Sequence, residues 1–289
     1  MKYILGIGLI VVGIIIAYSA IGPIWLTGER NEVGDYLQES LDEVTHLELS
    51  GVAIDWEIET SNHSYVEIEI DNKHKRTNMY STLKNGTLSI EIKRENFFSF
   101  IPFNFSFSQE KAIVRIPQDY MDALTIDSVS GDVLINDLSN LQSISVKTVS
   151  GDLIADLVEV ETNVQLNTTS GDMLLQNVKA EEISVDTVSG DVAIPSIEGE
   201  ISVKTTSGDI YAKFNNDHNA IMLKTTSGDV MIDLANANAE LDLNTTSGDI
   251  LVTPTMSDQQ VSNRQISGKI GQGEYPISVT TTSGDILIK

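Results

Sequence analysis

The stretch "TTSGDILV" at 245–252 is written again as "TTSGDILI" at 281–288, and its core, Ser-Gly-Asp, occurs eight times in the chain. The serines are Ser130, Ser150, Ser170, Ser189, Ser207, Ser227, Ser247 and Ser283, with a degenerate ninth copy, "QISGKI", centred on Ser267. Successive spacings are 20, 20, 19, 18, 20, 20, 20 and 16 residues. Self-similarity at such a period marks a stacked array, in which each unit buries its apolar face against its neighbours.

The columns of this alignment carry the fold. Six residues before each serine stands an aliphatic residue, from Leu124 through Ile144 and Val164 to Ile277. Four before it stands another, broken only by Asn263, and two before it threonine fills seven of the nine copies. Three residues after the serine the aliphatic pattern resumes, from Val133 to Ile286. Lys147, Asp186, Lys204, Lys224 and Asn244 fall between the apolar positions and belong in water. Alternation with period two on both sides of a Ser-Gly corner predicts two short strands per repeat, each with one buried face.

Two architectures meet that pattern. In a parallel β-solenoid each repeat is one coil, and like positions stack about 4.8 Å apart. In an antiparallel meander each Ser-Gly would close a hairpin. Ser-Gly is a poor match to the Asn-Gly or Gly-X chemistry of two-residue hairpins, and a meander has no need of one tetrapeptide at every second turn. The reading therefore favours an all-β, β-helix-like solenoid over 121–289.

Within it the motif is a structural corner. Gly131, Gly151, Gly171, Gly190, Gly208, Gly228, Gly248 and Gly284 supply the positive φ of a sharp turn. Asp132, Asp152, Asp172, Asp191, Asp209, Asp229, Asp249 and Asp285 accept hydrogen bonds from backbone N–H groups there. Serine and threonine hydroxyls are placed for ladders between coils.

Formal net charge is −24 over 289 residues. Lys2 is the only charge in residues 1–28, so the rest of the chain carries the whole acid excess. Such a body repels nucleic acid phosphates and anionic headgroups, which argues against DNA or RNA as a partner. There is no cysteine, hence no disulfide framework, thiolate metal site or thiol nucleophile.

Residues 3–28, "YILGIGLIVVGIIIAYSAIGPIWLTG", hold no charge, and roughly 20 such residues suffice to cross a bilayer core. Lys2 on the short side predicts a cytoplasmic N-terminus and an extracytoplasmic body. A cleaved signal peptide is the rival, with Ala17 and Ser19 spaced for cleavage; the apolar run continues past them through Ile24 and Leu26, which favours an uncleaved anchor over 1–28. Residues 29–44 read as a polar spacer, with Val33, Leu37, Leu41 and Val44 on one helical face. Residues 45–120 form an N-terminal β region that starts or caps the solenoid. Six of the seven phenylalanines crowd into "FFSFIPFNFSFS" (97–108), read as an aromatic plug for the first coils.

No catalytic constellation emerges. His46, His63, His74 and His218 are scattered, and serine or aspartate nucleophiles need a base. A column of aspartates invites calcium, but one carboxylate per coil supplies too few ligands, so no metal and no cofactor is expected. Wall-polysaccharide binding or cleavage remains the alternative function, since irregular residues on a coil face can build such a site. At the far end, Ser283-Gly284-Asp285 is followed by four residues only. The last coil is therefore expected to be an open association surface, partly covered by 263–276 folding back.

The anchor, "AIVRIP" (112–117) and the "SGDV" and "SGDI" coils together resemble the putative-adhesin β-strand-repeat family of Gram-positive bacteria, especially its membrane-anchored LiaG-like members associated with the envelope stress response. The resemblance spans 1–289. It implies a non-enzymatic, adhesin-like binding or scaffold protein of the cell envelope, held by a single-pass helix and facing an envelope protein or wall polymer. It carries over no catalytic residues.

Overall fold

The computed structural model describes residues 31–73, 75–94, 110–214, 219–234 and 238–289. The expected anchor, the phenylalanine-rich segment, His74 and His218 lie outside them. The described residues form 22 strands and no helix.

The repeats stack in parallel and in register. Ser130 pairs with Ser150, Ser150 with Ser170, and so on through Ser189, Ser207 and Ser227. This excludes the meander. The strand leading into each corner forms one face of the solenoid (face 1), and the strand leaving it forms a second (face 2). Both strands bury alternate residues: Ile144, Val146 and Thr148 point inward from face 1, Leu153 and Ala155 from face 2. In the early coils a third side closes the ring, where Leu138, Val158, Val178 and Ile197 stack inward. The result is one continuous aliphatic core with each apolar residue packed on its counterparts above and below, the arrangement the hydrophobic effect favours for an array of identical coils.

In three successive coils the bend between face 2 and the third side is made by a left-handed residue. Asp137 (φ 51°) and Asn177 (φ 53°) are suited to it, but the coil between them uses Leu157 at φ 53°. A bulky side chain there costs about 1–2 kcal/mol, and Leu157 is more than half exposed, so little packing offsets that cost. Leu157→Asn is therefore expected to stabilise the protein by about 1 kcal/mol, read as a rise in melting temperature of a few degrees. An unchanged or lower midpoint would show that Leu157 packs usefully where it stands.

The N-terminal region corrects one expectation. From residue 31 on, the expected spacer is part of the sheet and not a helix: Asn31–Val33 and Tyr36–Ser40 are strands, antiparallel to Thr77–Lys84 and Tyr65–Asp71. Leu37, Leu41 and Val44 are buried. Their spacing fits a helical face, but tertiary pairing with an open sheet edge overrode local periodicity. The first coil is His46–Gly51 with Asp55–Ser61, stacked directly on Ala123–Ser130 and on Val133–Asn136. Thr87–Arg94 and Lys111–Pro117 add one further parallel layer beyond it. Antiparallel strands finish both faces.

The C-terminal end overturns another expectation. The last coil in sequence, Tyr275–Ser283 with Ile286–Ile288, is not the last in space. It lies between the coil of Ile221–Ser227 and Val230–Leu234 and the coil of Ala239–Ser247 and Ile250–Val252, parallel to both. Its edges are therefore paired, and it is no open surface. The copy at Ser267 is not a coil either: Gln265–Ile270 runs antiparallel to Ala239–Ser247 and pairs on its outer edge with Ser257–Val261. The fold-back of this stretch does occur, but what it covers is the 239–244 edge of coil 239–252. Lys269 stands where the other copies have aspartate, and the physical consequence appears at the corner itself.

Candidate functional site

At each corner the chain must turn between two faces without breaking the ladder. The glycine N–H donates to the serine carbonyl of the next coil, as from Gly151 to Ser170 at 3.2 Å. The residue after the aspartate donates to the next aspartate carbonyl, as from Leu153 to Asp172 at 2.9 Å. The aspartate N–H would be left over. It is taken by a carboxylate: Asp152 N–H donates to Asp132 Oδ1, Asp172 to Asp152, and Asp191 to Asp172, all at 2.9 Å. The ladder continues through Asp209, Asp229 and Asp285 to Asp249 at 2.7–2.8 Å.

The ladder begins where the sequence gives little sign of it. Asp132 N–H donates to Oδ1 of Asp55, at 2.9 Å, so the corner of the first coil is "IDW" rather than "SGD". Of the motif only the aspartate is kept there, and its own N–H donates to the Glu110 carbonyl of the layer beyond at 2.9 Å. Lys269, having no carboxylate, could not pass the ladder on.

The glycine is demanded by space. A Cβ on Gly228 would lie 2.0 Å from the carbonyl oxygen of Gly208. Gly151 sits at φ 135°, on the side that glycine tolerates, but Gly228 does not fall in the left-handed range. Positive φ is thus not the common requirement; the close approach of successive corners is. The threonines are buried; Thr245 Oγ1 donates to Gly284 O at 3.1 Å and Thr281 Oγ1 to Gly228 O at 3.2 Å, whereas the hydroxyls of Thr187 and Thr205 have no partner among the described residues.

Carboxylates one coil apart repel by about 0.9 kcal/mol even in bulk water. The N–H bonds offset this, since a hydrogen bond to a charged group contributes about 1.5–3 kcal/mol. The two effects can be separated. Asp191→Ala removes the acceptor for Asp209 N–H and is expected to cost about 1–2 kcal/mol, at the low end because the site is exposed. Asp191→Asn keeps an oxygen and removes a charge, and is expected to be neutral or slightly stabilising at low salt. Urea midpoints of the two variants check this. Equal losses would mean that charge, not the acceptor, matters.

Among the described residues no group of three or more His, Cys, Asp or Glu is arranged to hold a metal ion. His63 meets Glu67 (Nδ1 to Oε2, 3.2 Å) and stacks on Tyr65, while the Tyr36 hydroxyl donates to the other oxygen of Glu67 at 2.7 Å. The Tyr36 bond holds the Glu67 carboxyl below its ordinary range, and Glu67 in turn raises the Tyr36 phenol. The group ties Tyr36 to the 63–67 stretch at the sheet that finishes face 2. An open cleft of about 330 Å³ on the third side is lined by Leu157, Val178 and Ile197. The amine that borders it, Lys179, is already engaged with Glu159 at 3.0 Å.

An in-register parallel solenoid with a hydrogen-bonded aspartate corner defines a class of repeat protein. The chain belongs to the Toastrack DUF4097 family, whose model matches residues 44–289. Among solved structures it is similar to one described as a "putative adhesin" from Bacteroides fragilis, at 12% identity and a TM-score of 0.55, covering 90% of this chain and 97% of that one. A second of the same description, from Parabacteroides distasonis, matches at 13% identity and a TM-score of 0.45, covering 91% and 98%. At 12% identity the likeness to the first is one of fold. No curated protein matches.

Proposed function

We propose that this is a non-enzymatic, membrane-tethered scaffold of the cell envelope, presenting a rigid rod of coils outside the membrane for contact with a protein or wall polymer. The observation that carries the reading is the uninterrupted aspartate ladder from Asp55 to Asp249. A hydrolase built on stacked coils needs irregular residues grafted onto one face, whereas here every corner repeats the same bonds. The adhesin description of the Bacteroides fragilis structure supports a binding role through shared fold. A role in envelope stress response rests on the family resemblance and on the apolar run at 3–28. Face 1 favours wall polysaccharide as the second reading: its outward residues include Ser145, Ser184, Ser202, Thr206 and Thr226, beside Lys204 and Lys224, a flat hydroxyl- and amine-bearing surface.

Topology and contact are tested together. Protease added to intact protoplasts is expected to remove residues beyond about 30 and leave Lys2 protected. Crosslinking intact envelopes and capturing the full chain is expected to retrieve a specific envelope protein or wall fragment. A full-length chain protected from protease would place the body inside and end the proposal. Measurable glycan cleavage by the purified chain would replace scaffold with enzyme.

A further inference from the structure

The outward side of face 2 departs from that of face 1. Four residues after each serine, the outward residue is apolar in all eight Ser-Gly-Asp coils, Ile154, Leu174, Tyr211, Met231, Leu287 and Leu251 among them. These are direct neighbours in the sheet: Ile154 pairs with Leu174, Tyr211 with Met231, Met231 with Leu287, and Leu287 with Leu251. Ile154 is 39% exposed, Tyr211 36% and Leu251 58%. The corresponding columns of face 1 carry mostly serine, threonine, lysine and asparagine. Folding therefore does not require apolar residues on the outer side of a coil, and a contiguous apolar strip on so acidic a chain marks a contact surface.

We infer that this ridge docks a basic amphipathic helix of a partner protein. Three observations choose that occupant. The aspartate ladder runs along the ridge two residues away on the same outward side, and it is exposed, so a partner must bring positive charge. The ridge is one residue wide, too narrow for the roughly 800 Å² per side that a stable dimer buries. A second copy would also add another strongly acidic surface to this one. Eight rungs at about 4.8 Å give a straight track of about 34 Å. A helix places one apolar residue per turn of about 5.4 Å, so about six turns, or some 22 residues, span it with a cationic flank over the aspartates. The ridge ends at the N-terminal side where Leu134 pairs with Glu57, which is bound to Lys111.

The inference rests on the binding-protein reading above, and the two can fail separately. The full chain in phosphatidylcholine nanodiscs is titrated with a labelled 22-residue Leu/Lys amphipathic helix, with empty nanodiscs as background. Micromolar binding is expected. It should weaken at least tenfold when glutamate replaces every lysine, and at least tenfold when the leucines are scattered off one face. Ile154→Thr combined with Tyr211→Thr should weaken it tenfold as well, with an unchanged melting temperature, since threonine is already an outward residue on face 1. Should that variant misfold, photo-crosslinking of the unaltered chain, expected to map to 153–156 and 210–214, decides the matter. Equal binding of the scattered peptide, crosslinks confined to other faces, or a dimer that the double substitution dissolves would each overturn the proposal. Envelope capture that succeeds equally with the ridge variant would leave the binding role standing and remove the ridge from it.

Discussion

Gly228→Ala is expected to destabilise the protein by about 3 kcal/mol or more, although alanine is the smallest side chain that can be added. In an ordinary exposed strand the same change stabilises slightly, because glycine loses more backbone freedom on folding. Here the added carbon would lie 2.0 Å from the Gly208 carbonyl oxygen, a backbone atom that cannot swing aside. Relief requires the two coils to separate. That strains the bond from Gly208 N–H to Ser227 O at 3.1 Å and the bond from Asp229 N–H to Asp209 Oδ1. Overpacking of this kind costs about 1–3 kcal/mol in cores that can relax, and a stack clamped on both sides relaxes less. Because Gly228 lies outside the left-handed range, the experiment isolates space from φ. Gly151→Ala, where φ is 135°, should cost at least as much. Urea midpoints with hydrogen exchange at the adjoining coils measure the effect. A loss under about 0.5 kcal/mol would show that the coils are free to part, and the corner would no longer be what fixes their register.

That result bears on what the sequence could and could not tell. The period, the buried columns and the corner were legible because a solenoid copies one local solution many times, and the copies reinforce one another. The aspartate was legible as an acceptor, since its chemistry at turns is general. Asp55 was hidden because the first corner reads Ile54-Asp55-Trp56, which leaves one residue of the motif to recognise. Residues 31–40 were misread because a three- or five-residue strand carries too few alternations to compete with an accidental helical spacing. The outward ridge on face 2 was in plain view as a column. It was passed over because the residue beside a buried position is ordinarily read as solvent-facing by default. The order of the last two coils was not legible at all. Both carry the same motif, and nothing local distinguishes a coil that stacks on its predecessor from one that stacks a place further on.

This last ambiguity is itself a property of the molecule, and it leads to the largest expected effect. A chain ending at Glu274 lacks the coil that separates 221–234 from 239–252. In the intact protein Thr225 and Thr245 both pair with Thr281, and Ser227 and Ser247 both pair with Ser283, so the two flanking coils present identical registers to the gap. Deletion removes Ile277, Val279, Ile286 and Ile288, all buried. Coil 239–252 can recover one stacked interface only by moving down a rung onto 221–234, with Asp249 N–H donating to Asp229 Oδ1 in place of Asp285 Oδ1. The move is short, because the two coils are consecutive in sequence. We expect the truncated chain to restack in this way, carrying its antiparallel cover Gln265–Ile270 with it, and to melt well below the intact chain. The absence of cysteine makes the test clean. Thr226→Cys with Thr246→Cys places two thiols two rungs apart in the intact protein, about 9.6 Å, beyond disulfide reach. In the truncated chain they would be neighbours at about 4.8 Å and should crosslink on mild oxidation. A disulfide in the intact chain would mean that the terminal coil does not hold its place between the other two. No disulfide in the truncated chain, with hydrogen exchange protection lost from 239–270 alone, would mean that coil 239–252 depends on the terminal coil for more than an edge.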